Sequence, residues 1–163
     1  MADDLRWLGL DWDEGYQKGG AHGPYLQSER TARYAAAFRA LEERGLVYPC
    51  YCTRAERLAA SAPHRSDGQA IYDGRCRRRS PQELEELSHS RRPAWRVAVP
   101  EEEYAFRDLL QGEVRENLAR DCGDFILRRS DGVYAYQLAV VVDDGDMGVT
   151  QVVRGSDLLS STP

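Results

Sequence analysis

The sequence predicts an α/β fold with one loop-rich, cysteine-bearing region in the middle. Apolar residues recur at helical spacing in the first half of the chain, and the second half changes to alternation and branched aliphatic runs that are typical of strands. The stretch between Cys50 and Cys76 holds three of the four cysteines. With 163 residues, 42% hydrophobic and 30% charged, the chain is long and apolar enough for one globular domain.

The first strong pattern predicts an amphipathic helix. Tyr34, Phe38 and Leu41 recur at helical spacing with charged residues between them. Ser28 is a candidate N-cap, and Gly45 can supply a left-handed stop.

Two more helices are predicted from their N-terminal capping patterns. Thr53 and Glu56 have the spacing of a capping box, directly after the C-x-C pair. Ser80, Pro81 and Glu83 combine a capping box with proline at the first helical position. The stretch "SAPHRSDGQ" between them is expected to be loop.

Strand patterns dominate the second half. Trp95, Val97 and Val99 alternate as in a half-buried strand, and two strand-like runs flank a hairpin turn at Asp131 and Gly132. The run "YQLAVVVDD" fits a buried helix or strand, and "GVTQVVRGSDLL" is predicted to be a strand buried on both faces. Both ends resemble interrupted elements, which suggests a fragment.

Charge and hydropathy exclude some classes of protein. The longest aliphatic run, residues 138–142, is far shorter than the ~20 residues of a membrane-spanning helix, and the acidic start does not resemble a signal peptide. A cytoplasmic protein without membrane contact is therefore predicted. The net charge of −5 argues against a general nucleic-acid coat, although the arginines in residues 75–79 form a local basic patch.

The cysteine cluster predicts a structural zinc site. Cytoplasmic cysteines seldom form disulfides, and zinc takes four ligands in a tetrahedron. Cys50, Cys52 and Cys76 would supply three thiolates. The residue types leave four candidates for the remaining position: His64, Tyr72, Asp73 and Cys122. The alternative is that the three cysteines are unrelated small residues. A zinc site of this kind would hold a subdomain together rather than catalyse a reaction.

Six segments in order resemble the glutamyl-tRNA synthetase lineage of class I aminoacyl-tRNA synthetases. The resemblance covers nearly the whole chain and weakens only around residues 59–70 and 88–117. The segments are "DLRWLGLDWDEG", "GPYLQSER", "GLVYPCYCTRAE", "YDGRC", "DFILRRSDGVYAYQLAVVVDD" and "MGVTQVVRGSDLLSSTP". This resemblance implies that the chain is an interior part of a Rossmann-type catalytic domain. Residues 1–47 would end the first Rossmann half, residues 48–131 would form an inserted zinc-binding subdomain, and residues 132–163 would return into the catalytic domain.

The lineage includes ordinary glutamyl-tRNA synthetases and a shorter paralogue that glutamylates the queuosine base of the tRNA(Asp) anticodon. In zinc-bearing glutamyl-tRNA synthetases, the second pair of zinc ligands resembles C-x-H, whereas in this sequence Cys76 is followed by Arg77 and Arg78. The paralogue has a tyrosine four positions before its last cysteine, as Tyr72 precedes Cys76 here. The resemblance thus implies queuosine-tRNA(Asp) as acceptor and Tyr72 as the fourth zinc ligand, with His64 as the alternative.

The same resemblance implies two glutamate-binding residues. Tyr136 matches the tyrosine that hydrogen-bonds the substrate amino acid, and Arg154 matches the arginine that pairs with one of its carboxylates. Without the family, they would be a core aromatic residue and a surface ion-pair residue. The implied reaction uses ATP with magnesium and tRNA as further substrates, in a monomeric enzyme.

The roles of several other polar residues stay open. Asp143 and Asp144 could hold magnesium or act as acid and base, although closing a buried segment and capping the next turn is the simpler interpretation. Asp157 is a candidate neighbour of the adenylate. The arginines of residues 75–79, Arg91 and Arg92 could contact RNA phosphates or be solvated.

The sequence lacks the HIGH-like and KMSKS-like motifs of the family, and His22, His64 and His89 lie in other contexts. We therefore expect this chain alone to form no glutamyl-adenylate and assign it no catalytic residue. Two alternatives stay open: a non-catalytic zinc module that binds RNA or protein, and a truncated product that folds poorly.

Overall fold

The computed structural model describes residues 2–53, 55–56, 62–63 and 70–163. Its helices are α1 (Ala2–Trp7), α2 (Thr31–Glu43), α3 (Pro81–Ser88), α4 (Leu118–Asp121) and α5 (Tyr136–Asp146). Its strands are β1 (Val47–Cys50), β2 (Ala62–Pro63), β3 (Ala70–Ile71), β4 (Ala94–Val97), β5 (Glu103–Asp108), β6 (Gly112–Asn117) and β7 (Ile126–Arg128). Three 3-10 turns cover Gln27–Glu29, Arg75–Arg78 and Ser156–Ser161.

The central sheet has the strand order β1-β4-β7, and both pairings are antiparallel. Val47 lies opposite Val97 and Cys50 opposite Ala94, and the register shifts between Trp95 and Arg96. The α/β class is confirmed. The named strands of the described residues pair only in antiparallel fashion, so the parallel Rossmann sheet and the domain division at residues 47 and 131 stay predictions.

The main core lies between the sheet and helices α2 and α5. It consists of five buried residues surrounded by partly buried apolar neighbours; the five are Tyr34, Phe38, Leu127, Leu138 and Ala139. The ring of Phe38 meets Trp95 edge-on at a centroid distance of 5.8 Å. Aromatic rings from α2 and the sheet thus fix how the helix sits on the strands.

Helix α2 confirms the predicted amphipathic helix, but its N-cap was wrong. The helix begins at Thr31 with Arg30 as the N-cap residue, and Ser28 lies in the preceding 3-10 turn. Arg30 is 1% exposed and is anchored to acidic side chains of α5, which fixes where the chain enters the helix. At the other end, Gly45 adopts φ +68° and stops the helix as predicted.

Both capping boxes are confirmed. The Ser80 hydroxyl accepts from the backbone N–H of Glu83 at 3.3 Å, and the Glu83 carboxylate accepts from the Ser80 N–H at 2.8 Å. Thr53 and Glu56 make the same reciprocal pair, at 2.6 and 3.2 Å. The loop expected over "SAPHRSDGQ" lies largely outside the described residues, although two of its residues, Ala62 and Pro63, form β2.

The hairpin turn at Asp131 and Gly132 is confirmed, with a shorter second arm than predicted. Gly132 has φ +90°, and the Arg129 N–H donates to the Val133 carbonyl at 2.8 Å. After the turn, Tyr134 makes a bridge to Arg128, and the Ala135 N–H donates to the Leu127 carbonyl at 2.8 Å. A second hairpin, β5 with β6, lies in the stretch where the family resemblance weakens.

The run "YQLAVVVDD" forms a helix, α5, and not a strand. The prediction of a doubly buried strand in "GVTQVVRGSDLL" was wrong: residues 149–155 form no regular element, and Val152 and Val153 are 57% and 94% exposed. A strand needs a hydrogen-bonding neighbour, and no strand of the described residues pairs with this segment. Within the part of the chain that the structure covers, no helix combines the length and apolar character needed to cross a membrane.

Candidate metal centre and amino-acid site

Three cysteine sulfurs and one phenol oxygen converge at the end of strand β1. The Sγ atoms of Cys50, Cys52 and Cys76 all lie within 4.8 Å of one another. The Tyr72 hydroxyl is 3.5 Å from the sulfur of Cys50 and 3.6 Å from that of Cys52. The structure therefore brings together all four residues that the sequence analysis assigned to zinc.

Local backbone geometry creates this convergence. Cys50 ends β1, and Cys76 lies in the 3-10 turn Arg75–Arg78, which the chain enters through Gly74 at φ +69°. Tyr72 follows β3 and makes a parallel bridge to Gly123. Gly123 has φ +72°, and a Cβ there would lie only 3.0 Å from the Tyr72 carbonyl, so this close approach requires glycine.

The protonation of the cluster is set by its internal hydrogen bonds. Hydrogen bonds, first from Cys50 and then from Tyr72, lower the pKa of Cys76 to about 6, so this thiol ionises more readily than an ordinary cysteine. The bond to Cys76, together with burial, raises the pKa of Cys50 to about 12. Burial and hydrogen bonds to the cysteines raise the pKa of Tyr72.

The donor set fits a tetrahedral zinc ion. Zinc–sulfur bonds of about 2.3 Å place tetrahedral sulfurs about 3.8 Å apart and a ligating oxygen slightly closer to them. Cys52 and Cys76 lie at 3.4 Å, and the phenol oxygen is at 3.5 and 3.6 Å from two sulfurs. In addition, the backbone N–H of Cys76 donates to the Tyr72 oxygen at 3.0 Å, which favours a phenolate. Bound zinc would supply a structural cross-link among these loops.

The other candidate ligands have different surroundings. Asp73 is exposed and pairs with the Arg75 guanidinium at 3.1 Å. Cys122 follows helix α4 and is not a member of the group of three sulfurs. His64 lies outside the described residues. Among the described candidates, Tyr72 is the one whose polar atom reaches the cysteines.

Two buried polar residues support the cluster and were missed in the sequence. Arg96 is 5% exposed and donates from Nε to the Cys50 sulfur at 3.3 Å. Asp124 is 7% exposed and accepts from the Tyr48 hydroxyl at 2.6 Å and the Val99 N–H at 2.9 Å. The alternation in β4 suggested an outward position for residue 96, and only the pairing with β1 shows that it faces the cysteines.

The two predicted glutamate-binding residues are both accessible. Tyr136 is the first residue of α5 and is 54% exposed, which excludes the core-aromatic interpretation. Arg154 is exposed, and its guanidinium donates to the Thr162 hydroxyl. No hydrogen bond joins Tyr136 and Arg154 within the described residues. Their joint role in glutamate binding stays a prediction.

The acidic candidates divide between structure and surface. The Asp143 carboxylate accepts from Arg30 at 2.5 Å and from the Tyr34 hydroxyl at 2.8 Å, so it closes the helix pair as the simpler interpretation expects. Burial, followed by this hydrogen bond, raises the pKa of Tyr34 to about 12. Asp144 is half-buried at the end of α5, where its carbonyl accepts from Val149, and Asp157 is exposed.

An arginine-lined depression of about 330 Å³ lies beside the cysteine cluster. Its lining includes Arg91, Arg92 and Arg129, together with Cys50 and Cys52. Arg91 donates to the Tyr51 carbonyl at 3.1 Å, and Arg129 pairs with Asp131 at 2.6 Å. In the patch of residues 75–79, Arg75 pairs with Asp73, and Arg78 donates to the Asp73 carbonyl at 2.8 Å.

Comparison with known proteins identifies the lineage. The family described as tRNA synthetases class I (E and Q), catalytic domain, matches residues 1–163. The chain belongs to this family. The resemblance drawn from the six sequence segments is thereby confirmed, and the enzyme class to which this catalytic domain belongs is the aminoacyl-tRNA synthetases.

The class I (E and Q) relatives include proteins of both subgroups. The chain is 55% identical over 164 residues to the Glutamyl-Q tRNA(Asp) synthetase of Symbiobacterium thermophilum, covering 98% of this chain and 50% of that protein. It is 45% identical over 166 residues to Glutamate–tRNA ligase 1 of Halorhodospira halophila, covering 100% of this chain and 35% of that protein. The chain thus spans about half the length, or less, of these relatives.

The solved structures agree on the fold. A glutamate tRNA ligase from Elizabethkingia meningosepticum, crystallised in complex with its amino acid, superposes with a TM-score of 0.78 at 27% identity. The superposition covers 98% of this chain and 34% of that structure. The described α/β arrangement is therefore that of a portion of a class I (E and Q) catalytic domain.

Proposed function

We propose that this chain is the zinc-stabilised part of an enzyme that activates glutamate with ATP and transfers it to the queuosine base of tRNA(Asp). The observation that carries this proposal is the similarity over 98% of the chain to a Glutamyl-Q tRNA(Asp) synthetase, which exceeds the similarity to the glutamate–tRNA ligase named above. A cytoplasmic, monomeric enzyme is the form we expect.

We assign Cys50, Cys52, Tyr72 and Cys76 to the zinc ion. This ligand set, with a tyrosine in place of histidine, is the feature that separates the queuosine paralogue from ordinary glutamyl-tRNA synthetases in the sequence resemblance. The closeness of the phenol oxygen to two sulfurs supports it. The ion would cross-link the end of β1, which carries Cys50, to the turn Arg75–Arg78, which carries Cys76.

We assign glutamate binding to Tyr136 and Arg154. Arg154 would pair with a glutamate carboxylate, for which a guanidinium offers two parallel N–H donors. Tyr136 would add a directional hydrogen bond from its exposed hydroxyl. Catalysis in such a site depends on positioning and on stabilisation of charge and not on a covalent intermediate with the enzyme.

We assign contact with RNA phosphates to the arginine-lined depression. Its wall carries Arg91, Arg92 and Arg129, and the whole chain has a net charge of −5, so this is a local positive surface on an acidic protein. Guanidinium groups are suited to phosphate because they bind it bidentately. Because Cys50 and Cys52 also line the depression, the proposed zinc ion would fix this part of its lining.

A chimaera tests the proposed function directly. This chain replaces the aligned half of the Symbiobacterium thermophilum relative, and ATP–pyrophosphate exchange with glutamate is measured without tRNA. Transfer of labelled glutamate to queuosine-containing tRNA(Asp) and to tRNA(Glu) follows. We expect exchange, and transfer to tRNA(Asp) alone. This chain by itself should give background exchange, because its sequence contains no HIGH-like or KMSKS-like motif.

Each alternative has its own outcome. Transfer to tRNA(Glu) would identify an ordinary glutamyl-tRNA synthetase, and a folded, zinc-loaded chimaera without exchange would identify a non-catalytic module.

Within the chimaera, Arg154→Gln should lower kcat/KM for glutamate about 10- to 100-fold, the loss typical for a charged hydrogen bond. Arg115→Gln is the matched control, because Arg115 is an exposed arginine on the β5–β6 hairpin and its loss should leave this value unchanged.

A further inference from the structure

Arg96 is not one of the proposed zinc ligands, but it makes three close contacts in and beside the cysteine cluster. Its Nε donates to the Cys50 sulfur at 3.3 Å, and its guanidinium carbon lies 3.8 Å from the centre of the Tyr72 ring. Its Nη1 donates to the backbone carbonyl of Asp124 at 2.5 Å. A single buried guanidinium therefore touches two of the four proposed zinc ligands and is held from its far side.

The charge of the proposed metal centre calls for a neighbouring cation. Three thiolates outnumber the two positive charges of zinc, and a Tyr72 phenolate would add another negative charge. Cys50, Tyr72 and Cys76 are all less than 9% exposed, so water cannot screen this excess. A buried charge is tolerated when it is paired and hydrogen-bonded, and Arg96 is the buried cation in contact with the cluster.

We propose that Arg96 is a positioning residue of the metal centre, which balances its negative charge and fixes both Cys50 and Tyr72 for zinc. The N–H bond to the Cys50 sulfur orients one ligand. The stacked guanidinium orients the other by holding the phenol ring so that its oxygen faces the sulfurs. This inference rests on the zinc site assigned under the proposed function.

The surroundings of Arg96 show why lysine could not replace it. The Asp124 carbonyl that receives Nη1 is itself fixed, because the Asp124 carboxylate accepts from Tyr48 and from the Val99 backbone. Arginine presents several N–H donors in one plane and stacks on aromatic faces. A lysine ammonium is one point charge, so it cannot reach the sulfur, the carbonyl and the ring at once.

Zinc affinity of the purified chain tests the inference. We would measure the dissociation constant for zinc by competition with a chromophoric chelator in wild type, Arg96→Met and Arg96→Lys. Loss of a residue that orients metal ligands typically lowers metal affinity 10- to 100-fold. We expect Arg96→Met to raise the constant by about that factor, and Arg96→Lys to fall between Arg96→Met and wild type.

Arg128→Met is the matched control. The Arg128 guanidinium also lies over aromatic rings, 5.5 Å from the centre of the Tyr134 ring and 5.9 Å from that of Phe38, but these two rings belong to the main core. This variant should lower the melting temperature without changing the zinc constant. Affinity that falls equally in the Arg128 and Arg96 variants would mean a general structural effect and would overturn the inference.

The spectrum of the cobalt(II)-substituted protein gives a second readout that loss of stability does not move. An N–H bond to a coordinated sulfur stabilises its lone pairs, so loss of that bond should shift the sulfur-to-cobalt charge-transfer band to longer wavelength. We expect this shift in the Arg96 variants only. If Arg96→Met does not fold, Arg96→Lys decides, and an unchanged band and constant overturn the inference. Wild-type protein that binds no zinc would instead remove the proposed site itself.

Discussion

The main core and the cysteine cluster are both buried, but they are built from different chemistry. The main core places Tyr34, Phe38 and Leu138 among further apolar neighbours, and the burial of this apolar surface is its main source of stability. The cysteine cluster buries three residues, Cys50, Tyr72 and Cys76, with Tyr48 and Cys52 packed against them, and it adds a charged guanidinium. Apolar contact alone does not offset the burial of these polar groups, so the proposed zinc ion would supply a stabilisation that the main core does not need.

The largest effect on stability is expected for a variant that damages the main core and leaves the cysteine cluster intact. Phe38 is 3% exposed and contacts both Trp95 and Tyr134, so Phe38→Ala leaves a cavity under α2. We expect a loss of about 3–5 kcal/mol in the free energy of unfolding, measured by urea denaturation. Zinc bound per folded molecule should not change.

Phe106→Ala is the matched control for this variant. Phe106 is half-buried on the two-stranded β5–β6 hairpin and should cost less than half as much. An equal loss in both variants would mean that the core defined by α2 and α5 does not dominate stability.

The second prediction breaks the cysteine cluster and leaves the main core intact. Tyr72→Phe removes a proposed zinc ligand while keeping the ring under Arg96, so we expect zinc affinity to fall at least as far as in Arg96→Met, by about 10-fold or more. Hydrogen exchange should become faster at the amides of the turn Arg75–Arg78 and stay slow in α2. The comparison variant is His64→Ala: loss of zinc in this variant alone would transfer the fourth position to histidine.

What could be predicted from the sequence also differs between the two regions. Helices α2 and α3 followed from periodicity and capping residues, because the interactions that define them are local. The wrong strand at residues 148–159 shows the limit of this approach, since an aliphatic run does not reveal whether a neighbouring strand exists to pair with it.

In the cysteine cluster, residue types pointed to zinc but not to the complete set of residues. Local spacing left four candidates for the last ligand, and the family resemblance, not the chemistry, favoured Tyr72. Arg96 and Asp124 could not be found, because their burial depends on antiparallel pairing between residues 30 to 50 positions apart in the chain. Long-range register decides which face of a strand is buried.

The smallest effect on stability is expected from the Glu14 carboxyl group, which lies outside both regions. It provides a comparison with the buried charge of the cysteine cluster. Glu14 accepts hydrogen bonds from Tyr25 and then His22, and these lower its pKa from 4.5 to about 2. Because the folded-state pKa is the lower one, its small stabilising effect is complete above pH 4.5 and is lost as the pH falls toward 2. A carboxyl titration by NMR should show a midpoint near 2; a midpoint near 4.5 would mean that the hydrogen bonds do not form in solution.

Zinc K-edge X-ray absorption on the purified chain, with metal content measured on the same sample, tests the central claim most directly. The account predicts one zinc per chain, with three sulfurs at about 2.3 Å and one oxygen at about 2.0 Å, and an oxygen contribution that changes in Tyr72→Phe. Protein that folds without zinc, or zinc bound by fewer than three sulfurs, would contradict it.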